Sequence, residues 1–147
     1  MGRGAGTPGG VIHLVVLDNE AVRALRDPAH PGHRQVVSQT QVIAGRKRRA
    51  AAIEIAVPAA VRAEAGWDRT SPAWAFPNRL RIADIPLDTA AANTAAAIRA
   101  RTGVSVADAH IGAAIQSAPA DQITVISSDP GDIRRIAGDR KITITTI

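Results

Sequence analysis

Short apolar runs alternate with helical patterns along this chain, and that alternation restricts its fold more than any other feature. The first run, Val11–Leu17, is continuous and rich in β-branched residues, as expected for a strand buried on both faces of a sheet. Further strands are predicted at Ile53–Val57, around Leu80–Ile85 and at Ile123–Ser127. The final stretch, Lys141–Ile147, alternates polar and apolar residues and is predicted to be a half-exposed edge strand.

Helical patterns fill the intervals between these strands. They are predicted at Asn19–Arg26, His33 to about Arg48, Ala59–Ala65, Asp88–Arg101, Ser105 to about Ser117 and Pro130–Ala137. Strands joined by helices require right-handed crossover connections, which place helices over both faces of a parallel sheet. The sequence therefore predicts an α/β fold, a three-layer α/β/α sandwich with a mostly parallel five-stranded sheet.

Length and composition favour a single domain. The chain has 147 residues, of which 46% are hydrophobic, so residues 11–147 are expected to form one domain after a flexible glycine-rich tail at 1–10. The absence of cysteine excludes disulfides, zinc–thiolate sites and iron–sulfur clusters. We find no apolar run long enough to span a membrane and no signal-peptide pattern, so we expect a cytoplasmic protein.

The charge balance points to an anionic partner. A net charge of +5 favours nucleic acid, while an aromatic content of 2% argues against base-stacking platforms. The densest basic cluster is Arg46-Lys47-Arg48-Arg49, which is interpreted either as a contact for RNA phosphates or as a solvated helix end. Arg134 is a further candidate for RNA binding.

Several aromatic and small residues leave alternatives open. Trp67, Trp74 and Phe76 lie in a predicted loop, Gly66–Asn78, and either cap the core or form a patch for a partner. The alanine-rich helices pack closely either within the fold or across a dimer.

Acidic residues follow two of the predicted strands. Asp18 comes directly after the first strand, and Asp129 follows the fourth. If these strands are neighbours, their ends lie about 4.8 Å apart and the two carboxylates share one crevice, where α/β proteins bind ligands. Glu64, Asp108 and Asp132 lie on helices that can face the same edge.

Each acid taken singly has a structural explanation, because Asp18 and Asp129 also suit helix N-caps and Ser105-x-x-Asp108 is a capping box. Together, however, several carboxylates at one edge repel one another unless a cation joins them. Oxygen ligands of this kind select Mg²⁺ or Mn²⁺, which polarise phosphoryl oxygens and acidify bound water. The pattern thus favours cleavage of a phosphodiester.

At this point the chain resembles a known family. The segments VVLDNEAVRAL (15–25), VPAAVRAEA (57–65), VSVADAHIGAA (104–114) and VISSDPGDIRRI (125–136) are similar to the four signature blocks of PIN-domain ribonucleases, in the family's order. Within that family they are most similar to VapC-type toxins of type II toxin–antitoxin systems. The resemblance covers about residues 11–147.

The resemblance implies a specific activity and site. It implies metal-dependent cleavage of single-stranded RNA by an activated water, with Asp18, Glu64, Asp108 and Asp129 as the catalytic acids. Asp18, Asp108, Asp129 and Asp132 are the implied ligands of Mg²⁺ or Mn²⁺, and Ser127 matches a hydroxyl residue that hydrogen-bonds within the site. An antitoxin whose tail blocks the crevice and a homodimer are the implied protein partners.

One position departs from the family pattern, because Glu20 stands where a small hydroxyl residue is common. Glu20 adds negative charge near the site or points to solvent. The alternative function is a non-catalytic RNA- or partner-binding domain of the same fold, in which the acids are caps and the basic cluster binds. A third hypothesis, a phosphatase with an aspartyl nucleophile, needs Asp where Glu20 stands.

Overall fold

A five-stranded parallel sheet forms the centre of the molecule. The computed structural model describes residues 12–48 and 52–147. The strands are β1 (His13–Leu17), β2 (Ile53–Pro58), β3 (Ala83–Ile85), β4 (Gln122–Ser127) and β5 (Thr143–Thr146). Their order across the sheet is β3-β2-β1-β4-β5, and all neighbouring pairs are parallel. The predicted α/β sandwich is confirmed, as is the edge position of the last strand.

Helices connect the strands in two groups. The first group joins β1 to β2 and β3, and the second joins β3 to β4 and β5. Their bounds are α1 (Asn19–Arg26), α2 (His33–Arg48), α3 (Ala59–Ala65), α4 (Ala75–Asn78), α5 (Thr89–Thr102), α6 (Val106–Ser117) and α7 (Pro130–Ala137). The chain first moves from β1 through β2 to β3 at one edge of the sheet, and it then crosses back past β1 to β4 and β5. Because the two groups of connections run in opposite directions across the sheet, right-handed crossovers place α1–α4 on one face and α5–α7 on the other.

The core lies on both faces of the three central strands. The buried runs of β1, β2 and β4 are the apolar, β-branched segments that predict strands in the sequence. Helix boundaries also follow local chemistry: Asp88 caps α5 by accepting a hydrogen bond from the Ala91 N–H at 2.8 Å, and Gly103 ends it with φ of 75°. Left-handed backbone of this kind favours glycine.

The structure corrects some predicted boundaries. The third strand was expected around Leu80–Ile85 but is limited to Ala83–Ile85, since Arg81 adopts a positive φ of 57° that interrupts extended backbone. The predicted loop contains a 3₁₀ turn, Pro72–Trp74, followed by α4. Within the described residues the first strand begins at His13, and the predicted tail at 1–10 lies outside those residues.

Two stacked tryptophans close one side of the core. Trp67 and Trp74 are buried, their ring centroids are 5.5 Å apart, and their planes differ by 9°. Arg69 lies over the Trp67 ring at 4.7 Å, and Arg26, the last residue of α1, lies over Trp74 at 4.9 Å. Of the two interpretations of this aromatic segment, the structure supports a cap over the core.

Small residues allow α6 to pack tightly inside the fold. A Cβ atom at Gly112 would lie 2.7 Å from the Ile136 carbonyl oxygen and 2.8 Å from Ile98 Cδ1. Glycine at this position therefore sets the spacing of α6 from α5 and α7. Among the described helices, none has the length and apolar character that crossing a membrane requires.

Candidate active site

A cleft of about 210 Å³ opens at the carboxyl ends of β1 and β4, where the strand order reverses. Its acidic lining residues are Asp18, Glu20, Asp108, Asp129 and Asp132. These residues come from three separate parts of the chain, and the parallel pairing of β1 with β4 brings the first and last of those parts together. The switch point of a doubly wound sheet is the position at which such proteins bind ligands.

Asp18 is the most deeply placed of these acids. Its backbone N–H extends the β1–β4 ladder by donating to the Ile126 carbonyl at 3.3 Å. Its Oδ1 caps α1 by accepting from the Ala21 N–H at 2.8 Å, and the residue is 8% exposed. Burial raises the pKa of Asp18 to about 6, despite opposing hydrogen bonds from Ser127 and Ala21. Repulsion from Asp108 and Glu20 adds to the increase in pKa.

Ser127 and Asp129 form the β4 side of the cleft. Ser127 is fully buried at the end of β4, and its Oγ accepts a hydrogen bond from the Asp129 N–H at 2.9 Å. Asp129 is exposed and caps α7 by accepting from the Asp132 N–H at 3.1 Å. Ser127 thus accepts from the Asp129 backbone, and its hydroxyl also opposes the rise in the pKa of Asp18, so it lies beside both acids.

Asp108 reaches the cleft from the first turn of α6. The Ser105 hydroxyl caps this helix by accepting from the Asp108 N–H at 3.1 Å. Burial raises the pKa of Asp108, and repulsion from Glu64, Asp132 and Asp129 raises it further, against a hydrogen bond from Ser105. The cleft therefore holds acids from α6 and α7 whose charges oppose one another, with Glu64 of α3 adding to the repulsion.

Glu64 lies at the edge of the cleft on α3 and is exposed. The Asn19 side chain, which lines the cleft, donates to Glu64 Oε1 at 2.8 Å. Asn19 is a site residue that the sequence reasoning did not select. Its position directly after Asp18 was the available signal, but an asparagine in the first turn of a helix has many ordinary roles.

Glu20 faces the cleft but is already paired. Its Oε1 accepts from Arg23 Nη1 at 2.6 Å, and its Oε2 lies 2.8 Å from His30 Nε2. Because His30 Nδ1 accepts from the Gly32 N–H at 2.9 Å, Nε2 carries the proton and donates to Glu20. The hydrogen bond from His30 is the main reason that the pKa of Glu20 lies below its ordinary value.

His110 lies outside the cleft, although it follows Asp108 by two residues. It is fully buried, with Nδ1 accepting from the Ala60 N–H at 3.3 Å and Nε2 donating to the Pro86 carbonyl at 3.1 Å. Burial lowers its pKa, so this histidine is a neutral structural residue.

The cleft fits a hard divalent cation in its chemistry and charge. Its lining acids offer carboxylate oxygens, and burial together with mutual repulsion already raises the pKa values of Asp18 and Asp108. Across residues 12–48 and 52–147, no three acidic or histidine side chains converge closely enough to ligate one ion as they stand. Ligation therefore requires side-chain rotation, which exposed Asp129 and half-buried Asp108 permit.

The predicted basic residues are placed unevenly. Arg134 is exposed on α7, next to the cleft-lining residue Ile133. Arg46, Lys47 and Arg48 end α2, but their side chains fall outside what the structure describes, and Arg49 lies outside the described residues altogether. The RNA-binding prediction for that cluster stays a prediction.

A second cavity, of about 300 Å³, lies between α2 and the sheet. Apolar and uncharged polar side chains line it in equal number, with His13 bonded to Thr124 at 2.8 Å, and none of its described lining residues is acidic. The acidic cleft differs in having several titratable groups with raised pKa values at the switch point of the sheet, so it is the candidate active site.

The fold and the position of the cleft together define a PIN-like α/β sandwich. No family model matches the sequence, and comparison with curated proteins gives no match. Among solved structures, the chain is similar to one in the crystal structure of VapBC2 from Rickettsia felis bound to a DNA fragment from their promoter. The TM-score is 0.56 at 13% identity, over 91% of this chain and 98% of that chain, and the likeness concerns the fold.

Proposed function

We propose that this protein is a metal-dependent endoribonuclease and the toxin of a toxin–antitoxin pair. One observation carries the proposal: acids from separate elements meet at the switch point of the sheet. Asp18 follows β1, Asp129 follows β4 and Asp108 reaches the cleft from α6, while Glu64 lies at the edge of the cleft and accepts a hydrogen bond from Asn19. Capping explains Asp18 and Asp129 but gives no reason for Asp108 and Glu64 to lie at or beside the same cleft, whereas a cation site does.

In this proposal Asp18, Asp108 and Asp129 would hold Mg²⁺ or Mn²⁺, with Asp132 as a further ligand. When bound, the ion supplies neutralisation of phosphoryl oxygens and lowers the pKa of water. Asp18 must lose its proton before it ligates, because only the carboxylate is a good ligand. Its pKa of about 6 permits this at neutral pH.

The remaining residues position these groups. The pairing of β1 with β4 fixes the spacing of Asp18 and Asp129, and Ser127 holds the Asp129 backbone through a hydrogen bond. Asn19 directs Glu64, which together with Asp132 would orient water for in-line attack on phosphorus. As the resemblance to PIN-domain ribonucleases implies, cleavage would leave a 5′-phosphate and a 3′-hydroxyl.

Partners follow from the same proposal. The Rickettsia felis neighbour is a VapBC2 assembly, which supports an antitoxin partner for this chain. The tail of that antitoxin would block the acidic cleft, and the protein would form a homodimer. Its substrate would be single-stranded RNA, since a net charge of +5 favours a polyanion.

Cleavage of single-stranded RNA tests the proposal. The purified protein is incubated with RNA and Mg²⁺ or Mn²⁺, with EDTA as a parallel condition. Asp108→Asn should remove cleavage, whereas Asp88→Asn, a helix cap on α5 outside the cleft, should not. Cleavage that survives both EDTA and Asp108→Asn would reject a metal-dependent nuclease.

The alternative, a non-catalytic binding domain, is favoured by one observation, namely that Asp18 and Asp129 do cap helices. Asparagine is as good a cap as aspartate. An Asp18→Asn variant therefore separates the two functions: a capping role leaves RNA handling unchanged, and a catalytic role does not.

A further inference from the structure

Four arginines lie between the cleft and a neighbouring groove on the α5–α7 face of the molecule. We call Arg99, Arg101, Arg135 and Arg140 the arginine band. The groove is open and has a volume of about 670 Å³. Arg101 and Arg140 line it, together with Gln116, Gly138 and Asp139.

One end of the arginine band is attached to the cleft. Arg99 Nε donates to the Val104 carbonyl at 3.0 Å, and Arg135 Nη1 lies 3.1 Å from Asp132 Oδ1. Val104 and Asp132 both line the cleft. The band therefore begins at the rim of the acidic site.

The other end of the band reaches the groove. Arg101 Nη1 donates to the Arg135 carbonyl at 3.3 Å, which joins the cleft side to the groove side. Arg140 donates to the Ile115 and Ala120 carbonyls at 3.3 and 2.6 Å. Helix α7 has eight residues and thus spans about 12 Å between the two sites.

In the part of the chain that the structure describes, Arg135 is the one band arginine paired with a carboxylate, that of Asp132. The band arginines bond mainly to carbonyl oxygens, which fix the guanidinium groups without cancelling a full charge. Arg134 and Lys141 are exposed nearby, and neither makes a side-chain hydrogen bond within the described residues. Asp132 pairs with Arg135, and Asp139 lines the groove, so these two acids offset part of the charge of the six cations.

A purely structural role explains part of this arrangement. Cations stabilise helix C-termini, and Arg135 does donate to the Thr102 carbonyl at the end of α5. A helix end carries only about half a charge, however, so capping leaves a surplus of positive charge. Arg101 and Arg140 bring part of this charge to the groove, which lies about 12 Å along α7 from the acidic cleft.

We propose that the arginine band binds the phosphate backbone of single-stranded RNA beside the scissile bond and guides the strand from the cleft into the groove. The inference rests on the proposed function and adds the path of the substrate. Guanidinium groups suit this role because their planar donors match phosphate oxygens. Their fixed positions lower the entropic cost of binding.

The test measures RNA binding without cleavage, in an Asp108→Asn parent protein. Anisotropy of a fluorescent oligouridylate gives the affinity at several salt concentrations. The neutral variant replaces three band residues: Arg101→Gln, Arg135→Gln and Arg140→Gln. The control variant removes the same charge from exposed arginines that line neither site: Arg34→Gln, Arg79→Gln and Arg81→Gln.

Salt dependence provides the readout. Each phosphate contact contributes about 0.7 to the slope of log affinity against log salt, so loss of three contacts lowers the slope by about 2. Between about 50 and 200 mM salt, the neutral variant should therefore lose about twenty-fold less affinity than the parent. The control variant should keep the parent slope. A variant with lysine at the three band positions should also keep it, because the charge is preserved.

Several results would overturn the inference. One is a neutral variant with the parent slope, and another is a control variant with an equal loss. A neutral variant that keeps RNA binding but loses binding to polyglutamate would show a protein-contact surface instead. If the triple variant does not fold, Arg101→Gln alone must lower the slope by about 0.7. The two proposals can fail separately. Failure of the wild-type protein to cleave RNA would reject the proposed function, whereas the salt slopes of the variants decide whether RNA binds at the arginine band.

Discussion

Replacing Asp18 by asparagine should stabilise the metal-free protein while it removes catalysis. Asp18 is 8% exposed, and its pKa lies near 6 instead of 3.8. A difference of about two pKa units corresponds to about 3 kcal/mol at neutral pH. Asparagine removes the buried charge but still caps α1 by accepting from the Ala21 N–H. We therefore expect a gain of up to about 3 kcal/mol in the free energy of unfolding.

The pH dependence has a definite sign. Because folding raises the pKa of Asp18, the folded state binds the proton more tightly than the unfolded state does. Its contribution is fully favourable below about pH 4 and is lost as the pH rises to about 6. Between about pH 5 and pH 7.5, ionisation of Asp18 should thus lower the free energy of unfolding of the wild-type protein by about 1.5 kcal/mol. Asp18→Asn should not show this decrease.

Urea denaturation in EDTA at both pH values measures the effect. Asp88→Asn is the matched control, since Asp88 caps α5 through an equal 2.8 Å bond but is exposed. It should lose a few tenths of a kcal/mol of helix-dipole stabilisation. If Asp18→Asn is less stable than the wild-type protein at neutral pH, or keeps the wild-type pH dependence, the carboxylate is not strained and the reasoning fails.

Three further predictions test the site and the packing. Mn²⁺ should raise the melting temperature of the wild-type protein in a concentration-dependent manner and should not change the melting temperature of Asp108→Asn. Equal shifts in the two proteins would mean that the ion binds elsewhere. Asn19→Ala should remove the hydrogen bond to Glu64 and lower the rate of RNA cleavage by about 10- to 100-fold without changing the melting temperature. Cleavage at the wild-type rate would contradict this prediction. Gly112→Ala should lower the free energy of unfolding, measured by urea denaturation, by about 1–3 kcal/mol, because the added methyl group overpacks the helix contacts. Gly131→Ala is the control and should be neutral or stabilising, since its added Cβ would lie 3.7 Å from its nearest neighbour, Asp129 Oδ1.

Local chemistry made much of the fold predictable. The β-branched run before Asp18 predicts a central strand, and the positions of Asp88 and Gly103 predict both ends of α5. Because strand ends in a parallel sheet share an edge, the acids following β1 and β4 could be expected to meet. These inferences depend on signals within a few residues of each feature.

Features built from distant parts of the chain were not predictable. The bond between Glu20 and His30 depends on the shape of the turn that joins α1 to α2, and ten positions separate the two residues. The arginine band brings Arg101 next to Arg135 through helix packing, so neither residue has a local pattern. The boundary of β3 depends on the backbone of Arg81, which composition does not reveal.

The stacked indoles give the protein a built-in optical reporter. The chain has two tryptophans and no tyrosine, so its near-ultraviolet emission originates from a single stacked pair. Arg26 joins that pair to the far end of α1, about 12 Å along the helix from Asp18. If loading of the cleft tilts α1, the contact between Arg26 and Trp74 changes, so emission spectra would detect such a tilt without any added label.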